Sequence, residues 1–162
     1  MQKPVHPILV HFPIALLVTS FIADAAYWIT SFSTLRHAGF WMLVAASLTG
    51  ALTVAAGMFD MRRAGLDGSM HERVHRHMWV GIVLYGVICV LTLWRWSFFD
   101  SDVRITVLYL DFALLAVALA AFQGWLGGEL VYTHGVFVAK KQAAPGSPTP
   151  VVDGAAAQHQ SH

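Results

Sequence analysis

The stretch "AGFWMLVAASLTGALTVAAGMF", residues 38–59, decides the fold because it contains no charged side chain. A helix crosses the hydrocarbon layer of a bilayer with about 20 mostly apolar residues. Apolar side chains here surround the helix axis, so no face is left for water as on an amphipathic surface helix. Working outward, three further segments have the same character. One runs from about Ile8 to Thr30 and holds Asp24, one from about His75 to Trp96, and one from about Ile105 to Leu126 with Asp111 inside. Of the 162 residues 57% are hydrophobic and 12% charged, against about 25% charged in a soluble domain. Such a chain cannot cover a water-facing surface. The fold class expected is all-α, a four-helix transmembrane bundle with the lipid bilayer as its solvent.

The connections fit four spans. "SFSTLRH" and "SFFDSDVR" are short and polar, and "DMRRAGLDGSMHERVHR" is longer. The longer one contains Ser69-Met70-His71-Glu72, a capping box that predicts a helix start near Met70. The transmembrane domain is expected over 1–139. The tail 140–162, rich in Ala, Pro, Gly, Ser and Gln, has little to bury and is expected to be disordered. The first span is too long for a signal-peptide core and is read as uncleaved. Lys3, Arg62, Arg63, Arg73, Arg76, Lys140 and Lys141 fall on one side of the bilayer and Arg36, Arg95 and Arg104 on the other, which predicts cytoplasmic termini. A net charge of +1 argues against nucleic acid as partner. The lone Cys89 offers neither a disulfide nor a thiolate site.

Four alternating spans gather residues far apart in the chain. His6 and His11 at the start of the first, Asp60 at the end of the second, His71, His75 and His77 at the start of the third, and Glu129 and His134 after the fourth all share one membrane face. Six of the seven histidines outside the tail lie there, and only His37 lies opposite. His71 and His75, four apart, share a helix face, and His77 is turned away from them by about 200°. Pro7 suits the first turn of a helix, and Pro13 would kink it and free the carbonyl of Leu9. Ionisable groups at membrane depth are costly and mark function. Asp24, Asp111 and Arg95 sit towards the other face, where an Asp–Arg pair would offset the cost of burial. The small residues Ala46, Gly50, Gly57, Gly81 and Gly86 either let helices pack closely or leave a slot for a flat macrocycle. Gly127-Gly128 should loosen the end of the fourth helix, and the chain beyond, to Val138, reads as an interfacial strap over the bundle mouth.

The motifs "HPILVHFPIALL" at the start, Asp60, histidine at the head of the third span and "GGELVYTHGVFV" after the fourth resemble the bacterial membrane proteins grouped as domain of unknown function 2231. The resemblance covers about residues 5–138. It implies a four-span architecture in a bacterial inner membrane, and marks His6, His11, Asp60, His75, Gly127, Gly128 and His134. Some relatives are joined to Rieske iron–sulfur domains, an association that implies electron transfer. Where the last motif commonly continues with glycine, this chain has Phe137.

Imidazoles from separate helices suit Zn, Cu and Fe, and haem takes axial histidines from facing helices. The first reading is therefore a b-type haem protein passing electrons, with quinol or a redox protein as partner. His11 and one of His75 or His134 would be axial ligands, with Asp60 or Glu129 holding a ligand's second nitrogen. The second is a Zn or Cu ion bound or moved by His6, His11, His71 and His75. The third is a scaffold subunit without a cofactor. No nucleophile-and-base arrangement suggests hydrolysis.

Overall fold

The structure is a computed structural model that describes residues 5–64, 68–99 and 104–133. A one-turn helix α1 (His6–Leu9) leads into α2 (His11–Thr30), followed by α3 (Ser33–Ala64), α4 (Gly68–Ser97) and α5 (Val107–Tyr132). Four helices, the first running through α1 and α2, are long and apolar enough to cross a membrane. α3 and α4 extend to about 48 and 45 Å at 1.5 Å per residue, so their end turns reach past a hydrocarbon layer about 30 Å thick.

The break at Val10 reflects two prolines. Pro7 sits in the first turn of α1, and Pro13 in the first turn of α2 has no N–H to give to the carbonyl of Leu9. α2 ends at Ser31 in the left-handed conformation, φ 62°, whose N–H bonds to the carbonyl oxygen of Tyr27 at 2.8 Å. The Thr106 side chain caps α5 by accepting from the N–H of Tyr109 at 3.2 Å.

Each helix packs on the next and α5 returns to α2, which closes a four-helix ring. One heptad-like seam per helix lines its interior. The seams are Pro13, Leu17, Ser20, Asp24 and Tyr27 on α2; Gly39, Leu43, Ala46, Gly50, Thr53, Gly57 and Asp60 on α3; His77, Gly81, Leu84, Ile88, Leu91 and Arg95 on α4; and Tyr109, Ala113, Ala116, Ala120, Gln123, Gly127 and Leu130 on α5. Steps of three and four residues keep such a stripe facing its neighbours in a bundle. The partition is inverted relative to a protein in water. Asp24, Ser20, Arg95, Thr53, Gln123 and Asp60 are buried, while Ile29, Leu93, Leu48 and Phe32 are two-thirds exposed or more. Only an apolar solvent makes that arrangement favourable.

α5 continues through Gly127 and Gly128 to Tyr132 instead of loosening at Leu126. Its last turns have something to pack on, since Leu130 is buried against Val74 beside Met61 and Met70. A Cβ at Gly127 would lie 3.1 Å from Cε1 of His77, so this glycine makes room for a ring. The side chain of Ser69, expected to cap α4, and the segment from His134 onward lie outside the described residues.

Candidate functional site

Two polar clusters occupy the seams, one at each end of the bundle. At the first, Asp24 and Arg95 form a buried ion pair at 2.9 Å. The second carboxylate oxygen of Asp24 accepts the Tyr109 hydroxyl at 3.1 Å, and Arg95 also donates to the carbonyl of Arg36 at 2.8 Å. The Ser20 hydroxyl donates to the carbonyl of Gly39 at 2.7 Å. Asp111 is exposed and outside this network. A buried charge pair with its remaining lone pairs satisfied fastens α2, α4 and α5 together.

The second cluster is different in kind. Thr53, Gly57 and Asp60 lie on one face of α3 and form a cradle for His6. Asp60 accepts the backbone N–H groups of Val5 and His6 at 2.8 and 2.9 Å, where a carboxylate also complements the N-terminal dipole of α1. The carbonyl of Thr53 accepts from Nδ1 of His6 at 3.0 Å. A carbonyl cannot donate, so Nδ1 carries the proton and Nε2 is left as an acceptor. A Cβ at Gly57 would come within 3.0 Å of this ring.

Across the bundle mouth the ring of His77 stands perpendicular to that of His6, with centroids 6.1 Å apart. Gln123 Nε2 donates to the carbonyl of His77 at 2.9 Å and faces His77 Nε2 at 3.2 Å. The carbonyl bond fixes which amide atom is nitrogen. Nε2 of the neutral ring therefore accepts, and Nδ1 carries the hydrogen. This Nδ1 and the Oε1 of Gln123 are both buried without a partner among the described residues. Gly81 admits the amide, since a Cβ there would lie 2.9 Å from Gln123 Nε2. Below the cluster lies a largely apolar cleft of about 60 Å³, bounded by His6, Pro13, Gly50, Tyr85, Ile88 and Gln123 among others. Its polar lining residues are His6, Thr53, Tyr85 and Gln123, while His77 stands beside it, bordering a second, smaller pocket with Arg73, Arg76 and Glu129.

The sequence-derived candidates divide sharply. His6 and Asp60 belong to the cluster, but Asp60 holds the backbone of His6, and the imidazole's second nitrogen goes to Thr53 instead. His11 is exposed, two residues before Pro13 and off the seam. His71 and His75 are exposed. Glu129 is ion-paired with Arg73 at 3.5 Å. His134 lies outside the described residues. The small-residue question resolves towards packing at Gly50, Gly57 and Gly81, each lying against a neighbour's side chain, and Gly86 faces open space. Among the described residues no group of three His, Cys, Asp or Glu could hold a metal ion. His77 and Gln123 were missed by sequence reasoning. The signal for His77 was its spacing from Arg95 along α4, five turns on the same stripe.

Comparison with known proteins gives one finding. The family model described as "Predicted membrane protein (DUF2231)" matches residues 2–140. No curated protein and no solved structure matches the chain. With nearly the whole helical region matched, and four helices fit to span a bilayer, the chain belongs to this DUF2231 family of membrane proteins.

Proposed function

We propose that this membrane protein serves electron transfer by binding a quinol-type lipid, a hydroxylated ring with an apolar tail, at His6, His77 and Gln123. The observation that carries the reading is an apolar cleft lined by His6 and Gln123, where Oε1 of Gln123 is buried without a partner among the described residues. Native interiors rarely leave such atoms unmatched. A hydroxyl in the cleft would give its hydrogen to Oε1 of Gln123 or to Nε2 of His6. The ring lies along the apolar walls and the tail leaves by the open side towards lipid. The setting is a bacterial inner membrane with cytoplasmic termini, on the Lys and Arg asymmetry of the loops.

The test is binding of decylubiquinol to the detergent-purified chain, followed by equilibrium gel filtration. Saturable binding of one molecule per chain is expected, weakened at least tenfold in H77L and Q123L and unchanged in H11A. Equal uptake by all four proteins means partition into the micelle and leaves a scaffold subunit as the better reading.

A second reading rests on the ring pair itself. Metal–imidazole bonds of about 2 Å place the centres of two rings on one metal roughly 6 Å apart, and His6 and His77 stand at 6.1 Å. With two imidazoles only, the iron of a b-type haem is better served than a bare Zn or Cu ion, because the macrocycle supplies its other ligands. A macrocycle is larger than the cleft, so this reading requires α3 and α4 to part. It predicts a Soret band in the purified protein, or stoichiometric metal, that is lost in H6A and H77A.

A further inference from the structure

The first turns of α4 carry a second pair of imidazoles that the cluster at the bundle mouth does not use. His71 and His75 are both exposed, and their rings stack with centroids 5.9 Å apart and planes 22° from parallel. The run is His71-Glu72-Arg73-Val74-His75. On a helix the order His-Glu-x-x-His places two imidazoles on one face, one turn apart, with a carboxylate beside them, the arrangement by which helices take zinc. We propose that His71 and His75 chelate one divalent transition-metal ion, Zn²⁺ or Cu²⁺, at the end of α4.

The spacing of the two rings suits one shared ion. Bonds of about 2 Å from each ring to a shared ion leave the ring centres roughly 5 to 6.5 Å apart, a spacing these rings already have. Because the lone pairs lie in the ring planes, the two exposed side chains must rotate out of their stack, and His75 away from Trp79, to share it. Exposure leaves water free to fill the remaining positions, as in sites that keep an open coordination place. Glu72 adds negative charge next to the ion, and the nearby cation Arg73 is paired with Glu129. The site is a two-residue chelate among the described residues, which gives binding and no hydrolytic centre.

Trp79 supplies the readout. Its indole Nε1 donates to Nε2 of His75 at 3.1 Å. Coordination through that nitrogen displaces the indole, because one lone pair cannot serve both. Metal binding therefore changes the fluorescence of Trp79, one of six tryptophans in the chain.

The experiment titrates Zn²⁺ and Cu²⁺ into the full chain in detergent, purified without a polyhistidine tag and with His159 and His162 changed to alanine. Calorimetry and tryptophan emission are read together. One ion per chain is expected at this site, with affinity falling at least tenfold in H71A and in H75A and unaltered in H11A. W79F is expected to bind as tightly while losing most of the emission change. H71A and H75A alter exposed residues, and unchanged helical circular dichroism verifies their folding. Affinity equal to the parent in H71A and H75A overturns the proposal, as does an emission change that survives in W79F. Both outcomes are independent of decylubiquinol binding at His77 and Gln123.

Discussion

The two ends of the bundle are built on the same seams of the same helices, yet they treat buried polarity in opposite ways. At the Asp24 end both carboxylate oxygens are engaged, by Arg95 and by Tyr109, and only Nε of Arg95 is left over. At the His77 end a ring nitrogen and an amide oxygen are buried with no partner among the described residues. A satisfied network in a low-dielectric interior fixes one helix arrangement. An unsatisfied one costs stability and persists where something outside the chain completes it. The first end has the build of a lock for the fold, and the second is where the proposed ligand would be held.

The sharpest way to break this contrast is at the lock. Arg95→Ala leaves the Asp24 carboxylate buried and uncompensated, and loss of one partner of such a pair costs about 3–5 kcal/mol. A large drop in thermal midpoint in detergent is expected. The double variant D24L/R95M, with neither charge, should unfold at a higher temperature than R95A. If the double is worse than the single, the pair is not a lock. Tyr109→Phe removes one hydrogen bond to a charged group and should lower stability by about 1.5–3 kcal/mol, read in the same way.

Glycines separate the ends at a finer scale. A Cβ at Gly39 would run into the Asp24 carboxylate and lie 3.3 Å from the carbonyl oxygen of Ser20. That carboxylate is held by Arg95 and Tyr109 and cannot swing away, so Gly39→Ala should cost about 1–3 kcal/mol through overpacking. A Cβ at Gly81 meets only the far end of Gln123, at 2.9 Å. The amide can yield, and alanine gains about 1 kcal/mol of helix propensity over glycine, so Gly81→Ala should leave the thermal midpoint almost unmoved while weakening decylubiquinol binding. Equal losses of stability in the two variants would remove the distinction.

The legibility of the sequence follows the same division. Runs of apolar residues set the number of spans, because hydrocarbon thickness sets a length that composition must fill. They placed the ends less well. The uncharged run 38–59 lies inside α3, Ser33–Ala64, because Arg62 and Arg63 are good helix formers that continue a helix into the interface. Alternation of spans correctly put His6, Asp60 and His77 at one end and Asp24 with Arg95 at the other. Which imidazole faces inward was a matter of phase, and the pairing of His71 with His75 carried no information about it. Four-residue spacing says that two rings share a face without saying which face. The inward stripe follows steps of three and four through Leu84, Ile88 and Leu91, and it ends on His77. Gln123 was unreadable as a site residue, because an amide in an apolar span has no signature until its partner across the bundle is known.

The smallest expected effect on stability is the most informative about function. His77→Leu replaces the ring by an apolar side chain of comparable size and removes Nδ1, which is buried without a partner among the described residues, together with Nε2, whose donor Gln123 keeps its bond to the carbonyl. The carbonyl of residue 77, which accepts from Gln123, belongs to the backbone and is unaffected. Exchanging an unsatisfied polar group for an apolar one of similar shape is close to neutral or stabilising, so the thermal midpoint should stay level or rise. Binding of decylubiquinol should fall at least tenfold, because the Gln123 amide that lines the cleft loses the ring nitrogen that helps to hold it. A side chain kept for the fold gives the reverse result, lower stability with binding intact. A gain in stability together with a loss of binding is what a ligand site at odds with its own packing produces, and Arg95 at the other end of the same helix cannot give it.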